Sequence, residues 1–291
     1  MRLAPIALLP LLLSAADWKI DHVTIAGRDL AAIRAGLDSI GISTVYGGAH
    51  SNSVTEMALT SFPDGSYLEA ITLQAKADPA AVDKHEWAKF LKTAGMPAAW
   101  AIQAEDLPAV TARLLKGKAT LGLPVRSGRQ RPDGKTLEWE TVSVGTETRG
   151  TFFPFLIHDL TPRDWRAFPS GQPTNRDFKG VARVVVAVKN LDAAIARYRK
   201  AFGLPAAARQ TDREFGAELA AFGDFPAILA QPVAADSWLA ARIAQFGEGP
   251  CAFLLAAGEH RPAGATQKSQ WFGREVSWFD PARLGWRLGV Q

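Results

Sequence analysis

Two residues near the start of the chain carry side chains that commonly bind metals or move protons. His22 lies in DHVTI, residues 21–25, and Glu69 lies in YLEAI, residues 67–71. In a β-strand, His22 and Thr24 share one face while the apolar residues between them share the other. An imidazole and a carboxylate are suitable ligands for a divalent transition metal, and they are also common acid–base groups. The residues alone leave both uses open.

Further candidates of the same chemical types lie in other short segments. Glu56 in VTEMAL is expected to share the concave side with Glu69, and either carboxylate is suited to move a proton. His158 in FLIHD is a third candidate metal ligand. The segment Lys84-His85-Glu86, in a predicted helix, is typical of a solvated helix face.

Four residues are candidates for contact with a ligand. An arginine receives a carboxylate well, and a tryptophan can form an apolar wall. A histidine before a predicted strand is expected at the rim of a site. The segment RPDG, residues 131–134, is typical of a turn between strands, which would place the flanking arginines near the mouth. The candidates are His50, Arg129, Arg131 and Trp139.

These residues are positioned by a unit that recurs along the chain. Residues 21–42 are similar to residues 182–204: in both, a strand leads through a polar break into an amphipathic helix that ends at glycine. Three further short strands follow each helix, which gives a βαβββ unit. Weaker copies start near residue 98 and, without room for a full helix, near residue 250. The Pro- and Gly-rich residues 169–177 indicate a boundary between two halves.

In this arrangement the chain resembles the glyoxalase-like branch of the vicinal oxygen chelate superfamily. The resemblance is carried by IDHVTIAGRDLAA, GGAHSNSVTEMALTSFPDGSYLEAI, RQRPDGKTLEWE, PFLIHD and WFDPARLGWRL. It implies an α+β fold of tandem βαβββ modules, of the glyoxalase/bleomycin-resistance type, that form two cupped mixed sheets. We expect the halves to span residues 17–168 and 178–291. It also implies that a concave face holds a small molecule, often with a divalent metal such as Zn, Ni, Mn or Fe.

The resemblance further implies that a partner module completes such a metal site, and here the corresponding positions lack ligands. Ala99 and Arg183 stand where later copies would carry the histidine, and Ile228 and Gly289 stand where they would carry the glutamate. An arginine stays protonated and cannot coordinate a cation. The second half is therefore expected to be metal-free, and a site in the first half would draw on His22, Glu69, Glu56 and His158.

The remaining features concern location and partners. Residues 1–16 read as a cleaved export signal, so the mature protein is expected in the periplasm or outside the cell, beginning at Asp17. Nothing later predicts a membrane span. The single cysteine, Cys251, lies in an apolar strand and is interpreted as buried and inert. The formal charge of +4 is scattered, which does not indicate nucleic acid and is compatible with an anionic small molecule.

Two functions follow as hypotheses. The first is a metal-dependent lyase or isomerase of glyoxalase type, in which Glu69 or Glu56 moves a proton. The second is a metal-free protein that binds or sequesters a small molecule. The sequence identifies neither the substrate nor the oligomeric state.

Overall fold

The computed structural model describes residues 18–259 and 264–291, so the expected export signal lies outside the described residues. The first eight strands are β1 Ile20–Ala26, β2 Val45–His50, β3 Thr55–Ser61, β4 Tyr67–Leu73, β5 Met96–Gln103, β6 Val125–Gln130, β7 Thr136–Val142 and β8 Phe155–Asp159. The helices among and after them are α1 Leu30–Ser39, α2 Pro79–Lys84, α3 Ala88–Leu91, α4 Leu107–Lys116 and α5 Arg163–Ala167.

The later part of the chain contributes eight more strands and three helices. The strands are β9 Phe178–Ala187, β10 Ala208–Asp212, β11 Ala217–Ala221, β12 Ala227–Pro232, β13 Gly249–Ala257, β14 Ala265–Trp271, β15 Arg274–Phe279 and β16 Arg287–Val290. The helices are α6 Leu191–Phe202, α7 Trp238–Phe246 and α8 Pro281–Leu284.

The recurring unit predicted from the sequence is visible in the helix starts. Asp29 caps α1 by accepting a hydrogen bond from the amide of Ala32, and Asn190 caps α6 in the same way through the amide of Ala193. An N-cap side chain of this kind satisfies an amide that has no partner within the helix. The polar break after each first strand is therefore the point at which the helix begins.

The first eight strands form a closed barrel in the order β1-β4-β3-β2-β6-β7-β8-β5. The first and last strands of the first module, β1 and β4, are parallel neighbours. The sequence predicted a cupped sheet, whereas the structure shows a closed barrel. A short contact between the two modules closes it. There β2 pairs with β6 through Ala49 opposite Gln130 and His50 opposite Arg129.

The last eight strands form one open mixed sheet in the order β10-β11-β12-β9-β13-β16-β15-β14. In the fourth module the short helix α8 lies between β15 and β16, and seven residues, 258–264, separate β13 from β14. The α+β fold of tandem modules in two mixed sheets is confirmed. The division of the chain at residues 169–177 remains a prediction.

Apolar side chains are buried in three places. One cluster fills part of the barrel interior, and another fills the concave side of the open sheet. The largest lies between the barrel and the sheet, where Trp100 of β5 meets Phe225 and other aromatic residues of the later half. No helix of the described residues is long and apolar enough to span a bilayer.

Candidate functional site

The barrel encloses a cavity of about 80 Å³ lined by both polar and aromatic side chains. An engineered cavity of about 150 Å³ can hold a benzene ring, so the enclosed part of this one takes a few atoms and the rest of a bound molecule would extend toward the mouth. Inward residues alternate with outward ones along each strand, which selects the side chains that meet there. The polar and charged residues important for chemistry are His22, His50, Glu69, Arg129 and Arg149.

His22 is held in one orientation by the preceding residue. Its Nδ1 lies 2.6 Å from Oδ1 of Asp21, and its ring stacks on Tyr67 with centroids 4.9 Å apart. Since an ionised carboxylate only accepts hydrogen bonds, Nδ1 donates to Asp21, which leaves Nε2 as the ring nitrogen that faces the cavity. Only 4% of His22 is exposed, so this nitrogen is available to a molecule in the cavity rather than to bulk water.

Asp21 is kept ionised by a buried network of charges at the base of the barrel. Arg166 donates to both of its oxygens at 2.8 Å, and Arg163 also donates to it. Burial alone would raise the pKa of Asp21, but the two guanidinium groups and the hydrogen bonds hold that pKa well below its usual range. Arg166 also donates to Asp159, so the carboxylates of Asp21 and Asp159 balance the two guanidinium groups. The network therefore fixes the tautomer of His22.

Glu69 lies directly beside His22, as β1 and β4 pair with Thr24 opposite Glu69. Its Oε2 accepts a hydrogen bond of 2.9 Å from the hydroxyl of Thr24 and lies 3.9 Å from Nε2 of His22. Its Oε1 lies 3.7 Å from Nε2 of His50. These separations from the two imidazoles are too long for hydrogen bonds, so Oε1 is free to meet a ligand.

His50 lines the cavity instead of standing at a solvated rim. Its Nδ1 lies 3.0 Å from the hydroxyl of Thr55, and its ring meets Trp139 edge to face. Burial lowers the pKa of His50 to about 4; Glu69 opposes this shift, while Arg129 and His22 add to it. The ring is therefore neutral near pH 7.

Arg129 is a buried cation that has no carboxylate partner among the described residues. Only 3% of it is exposed, and its guanidinium donates to the carbonyl oxygens of Gly47 and Arg166. Burial lowers the pKa of Arg129 to about 10, so it stays charged at neutral pH. Buried charges are usually paired, and a cation facing a cavity without a counter-ion favours an anionic ligand.

Three candidates from the sequence do not lie in the cavity. Glu56 was expected on the concave side, but its neighbours Met57 and Leu59 face inward, opposite Ile71 and Glu69. Glu56 instead accepts a hydrogen bond of 2.7 Å from Tyr46 on the outside. The strand alternation was read correctly there, but the wrong face was assigned to the interior.

The other two candidates, His158 and Arg131, also lie outside the cavity. His158 lies between Ile157, which lines the cavity, and the end of β8, so it faces outward, with Nδ1 2.8 Å from the carbonyl oxygen of Ala104. Arg131 follows the end of β6 and donates to the carbonyls of Trp165 and Pro169. It pairs with Asp133 at 2.7 Å and does not reach the mouth. Trp139 does lie in the cavity wall.

Some residues of the site carried no clear signal in the sequence. Arg149, in the loop before β8, lines the cavity, as do His85 and Trp87 from the turn between α2 and α3. The solvated face expected for Lys84-His85-Glu86 is therefore wrong for His85, whereas Glu86 is exposed as expected and pairs with Arg149. Asp21 stood beside His22 in the sequence, and this adjacency was the available clue to its role.

The donor groups do not complete a metal site. His22 and His50 approach different oxygens of Glu69, so the carboxylate stands between two imidazoles rather than sharing one centre with them. In β5 the position beside His22 is Ala101, and the inward residues of β8 are Phe155 and Ile157. Within residues 18–259 and 264–291, no group of three or more His, Cys, Asp and Glu side chains is placed to hold a metal ion.

The equivalent region of the open sheet differs from the barrel. Its concave side is filled by an aromatic cluster that includes Phe215, Trp271 and Trp278. Arg183 lies beside Ile228 at one end of that sheet and donates to the carbonyl oxygen of Phe225. The acid–base pair found in the barrel has no counterpart at this place.

The comparisons with known proteins concern family and fold. A family model described as a glyoxalase-like domain matches residues 20–201. A hypothetical protein from Staphylococcus aureus has a similar structure, with TM-score 0.65, 13% identity, and coverage of 94% of this chain and 99% of that one. A mutant of 4-hydroxymandelate synthase from Streptomyces coelicolor gives TM-score 0.62, 12% identity, and coverage of 94% and 92%. At these identities the likeness shows the fold alone. No curated protein matches the chain.

Proposed function

Because this chain belongs to the glyoxalase-like domain family, we propose that it binds a small oxygenated anion in the barrel and moves a proton on it. The observation that carries the proposal is the cation Arg129, buried without a carboxylate partner in the cavity that also holds His22 and Glu69. Proton transfer of this kind is a step that lyases and isomerases use.

Each residue has a distinct part in the proposed reaction. Arg129 holds the acidic group of the substrate and stabilises the negative charge that develops on its oxygens. Oε1 of Glu69 accepts a proton from the neighbouring carbon, while Thr24 holds Oε2 in place. Nε2 of His22, fixed by Asp21, accepts a hydrogen bond from a substrate hydroxyl. The electron pair released from the carbon moves onto the substrate oxygen.

The proposed reaction does not pass through a metal. The metal-dependent form implied by the family resemblance would need ligands beyond His22 and Glu69, and the inward positions of β5 and β8 carry alanine, phenylalanine and isoleucine. We expect protein purified without chelator to hold much less than one equivalent of Zn, Ni, Mn or Fe, and EDTA to leave activity unchanged. Stoichiometric metal that EDTA removes together with activity would contradict this part of the proposal.

The test follows exchange at carbon, which requires no knowledge of the product. Small 2-hydroxy acids are incubated with the protein in D₂O, and loss of the signal of the proton on C2 is followed by NMR. Glu69→Gln should slow exchange by about 100-fold or more. Glu56→Gln, which changes the same residue type on the outer face, is the matched control. Equal exchange rates in wild type and Glu69→Gln would refute the assigned role.

Binding is tested separately with a second matched pair. Arg129→Gln should abolish binding of these acids by calorimetry, whereas Arg131→Gln removes a similarly buried arginine that lies outside the cavity. Binding through Arg129 without any exchange would favour the second candidate function, a protein that sequesters a small anion. That candidate is favoured by the absence of acid–base side chains on the inward faces of β5 and β8.

A further inference from the structure

A second arginine lines the same cavity and has an incomplete set of hydrogen bonds. Arg149 donates through Nη1 to the hydroxyl of Thr141 at 3.0 Å and through Nη2 to Oε1 of Glu86. Its Nε is buried and has no partner among the described residues. An N–H group buried in this way ordinarily has an acceptor, and the Arg149 side chain that carries it is one of those that line the cavity.

The pair of Arg149 and Glu86 is partly exposed to solvent. The Glu86 side chain is 30% exposed and that of Arg149 is 24% exposed. Burial raises the pKa of Glu86, although Arg149 counteracts this shift. Nε and Nη2 form one edge of the guanidinium group, and Glu86 contacts Nη2 alone. A ligand carboxylate that takes both nitrogens would form the two-bond arrangement that arginine favours.

The two arginines lie at different depths of the barrel. Arg129 is opposite Leu137 on β7, and Arg149 binds Thr141 on the same strand. These strand positions are four residues apart, which corresponds to about 13 Å along the strand. Trp139 lies between them in the cavity wall. Both long side chains extend from these separated positions to the cavity.

We infer that Arg149 binds a second acidic group, so that the ligand is a small dianion with acidic groups at both ends, a dicarboxylate being the simplest. The inference rests on the proposed function, which places the first acidic group at Arg129. The second acidic group displaces Glu86 from Arg149, and the Glu86 side chain then points from the turn between α2 and α3 into solvent. Arg149 thereby selects dianions over monoanions of similar length.

The experiment compares succinate with butyrate, which has the same number of carbons and one carboxylate. Calorimetry on the full chain should give at least tenfold tighter binding of succinate in wild type. Arg149→Gln should weaken succinate binding at least tenfold more than it weakens butyrate binding. Glu86→Gln should increase the preference, because it removes the competing carboxylate. Arg126→Gln alters an exposed arginine paired with Glu138 and should change neither affinity.

The possible outcomes distinguish the dianion inference from the proposed function. Equal binding of both probes in wild type, with dependence on Arg129, would overturn the dianion inference and leave the proposed function intact. Binding of neither probe would overturn the dianion inference alone, because exchange of the 2-hydroxy acids tests the proposed function separately. A purely structural role of Arg149 predicts that Arg149→Gln weakens both probes equally. Should that variant fail to fold, Glu86→Gln decides: unchanged or weakened succinate binding would overturn the inference.

Discussion

At the scale of single residues, strand alternation placed some side chains correctly and failed at strand ends. His22 and Glu69 lie inside regular strands, so their common face could be predicted from their neighbours. Arg129 lies within β6 and faces inward, whereas Arg131, two residues later, lies beyond the strand and turns away. The alternation rule holds only where the ladder continues, and the end of a strand cannot be located from the sequence to one residue.

His50 should make the stability of the protein depend on pH. Burial lowers its pKa to about 4 in the folded state, against 6.5 ordinarily. As the pH falls below 6.5, the unfolded chain takes up a proton that the folded chain does not, so stability is lost down to about pH 4. The expected loss from this residue is about 3 kcal/mol.

Denaturant unfolding at pH 7 and pH 4 measures this contribution. In His50→Gln the difference in the free energy of unfolding between the two pH values should be smaller than in wild type by that amount. His158→Gln, on the outer face of the barrel, should retain the wild-type difference. An equal pH dependence in wild type and His50→Gln would show that the ring is not kept neutral by burial.

At the scale of elements, the recurring unit predicted the strands and helices of each module but not the closure of the barrel. The contact between β2 and β6 involves two residue pairs from different modules, too few to leave a pattern in the sequence. It depends on close approach of the backbone at Gly48. This residue has φ of +113°, and a Cβ placed there would lie 2.0 Å from the carbonyl oxygen of Gln130.

Gly48→Ala is therefore expected to open the barrel at this contact. Gly134→Ala is the matched control, because Gly134 also has a positive φ of +84° but has no atom within 4 Å of its added Cβ. The control should lose about 1–2 kcal/mol from the backbone conformation alone. Gly48→Ala should lose about 1–3 kcal/mol more, since the added group is also overpacked. Similar losses in both variants, measured by thermal unfolding, would show that closure does not need this approach.

At the scale of the whole molecule, residues 1–16 and the chain after them lead to separate predictions. The sequence of residues 1–16 predicts export, and we propose that cleavage follows Ala16. N-terminal sequencing of protein from the periplasm or the medium should then begin at Asp17, Trp18 and Lys19. Intact Met1 on protein recovered from the cytoplasm would contradict this proposal.

After residue 17, the largest apolar cluster joins the barrel to the open sheet. Apolar residues on the outer faces of β1 and β5 could not be assigned a partner from the sequence, since either helices or the other half could cover them. Phe225 supplies part of that cover: it packs against Trp18 and Trp100 from the barrel side and Phe202 from its own half. The barrel that holds the site is therefore stabilised by residues far from it in sequence.

Phe225→Ala should consequently weaken both halves. Removing a buried phenylalanine costs about 3–5 kcal/mol, so amide hydrogen exchange should accelerate by about 100-fold or more in β1 and β5 as well as in β9. Phe215→Ala removes an equally large buried ring from the cluster inside the open sheet and should affect β1 and β5 less. If exchange in β1 and β5 is unchanged in Phe225→Ala, the barrel does not depend on the shared cluster. If the barrel depends on that cluster, we expect substitutions in the later half to weaken the proposed ligand binding by loosening the strands that carry His22, although none of the described residues of that half lines the cavity.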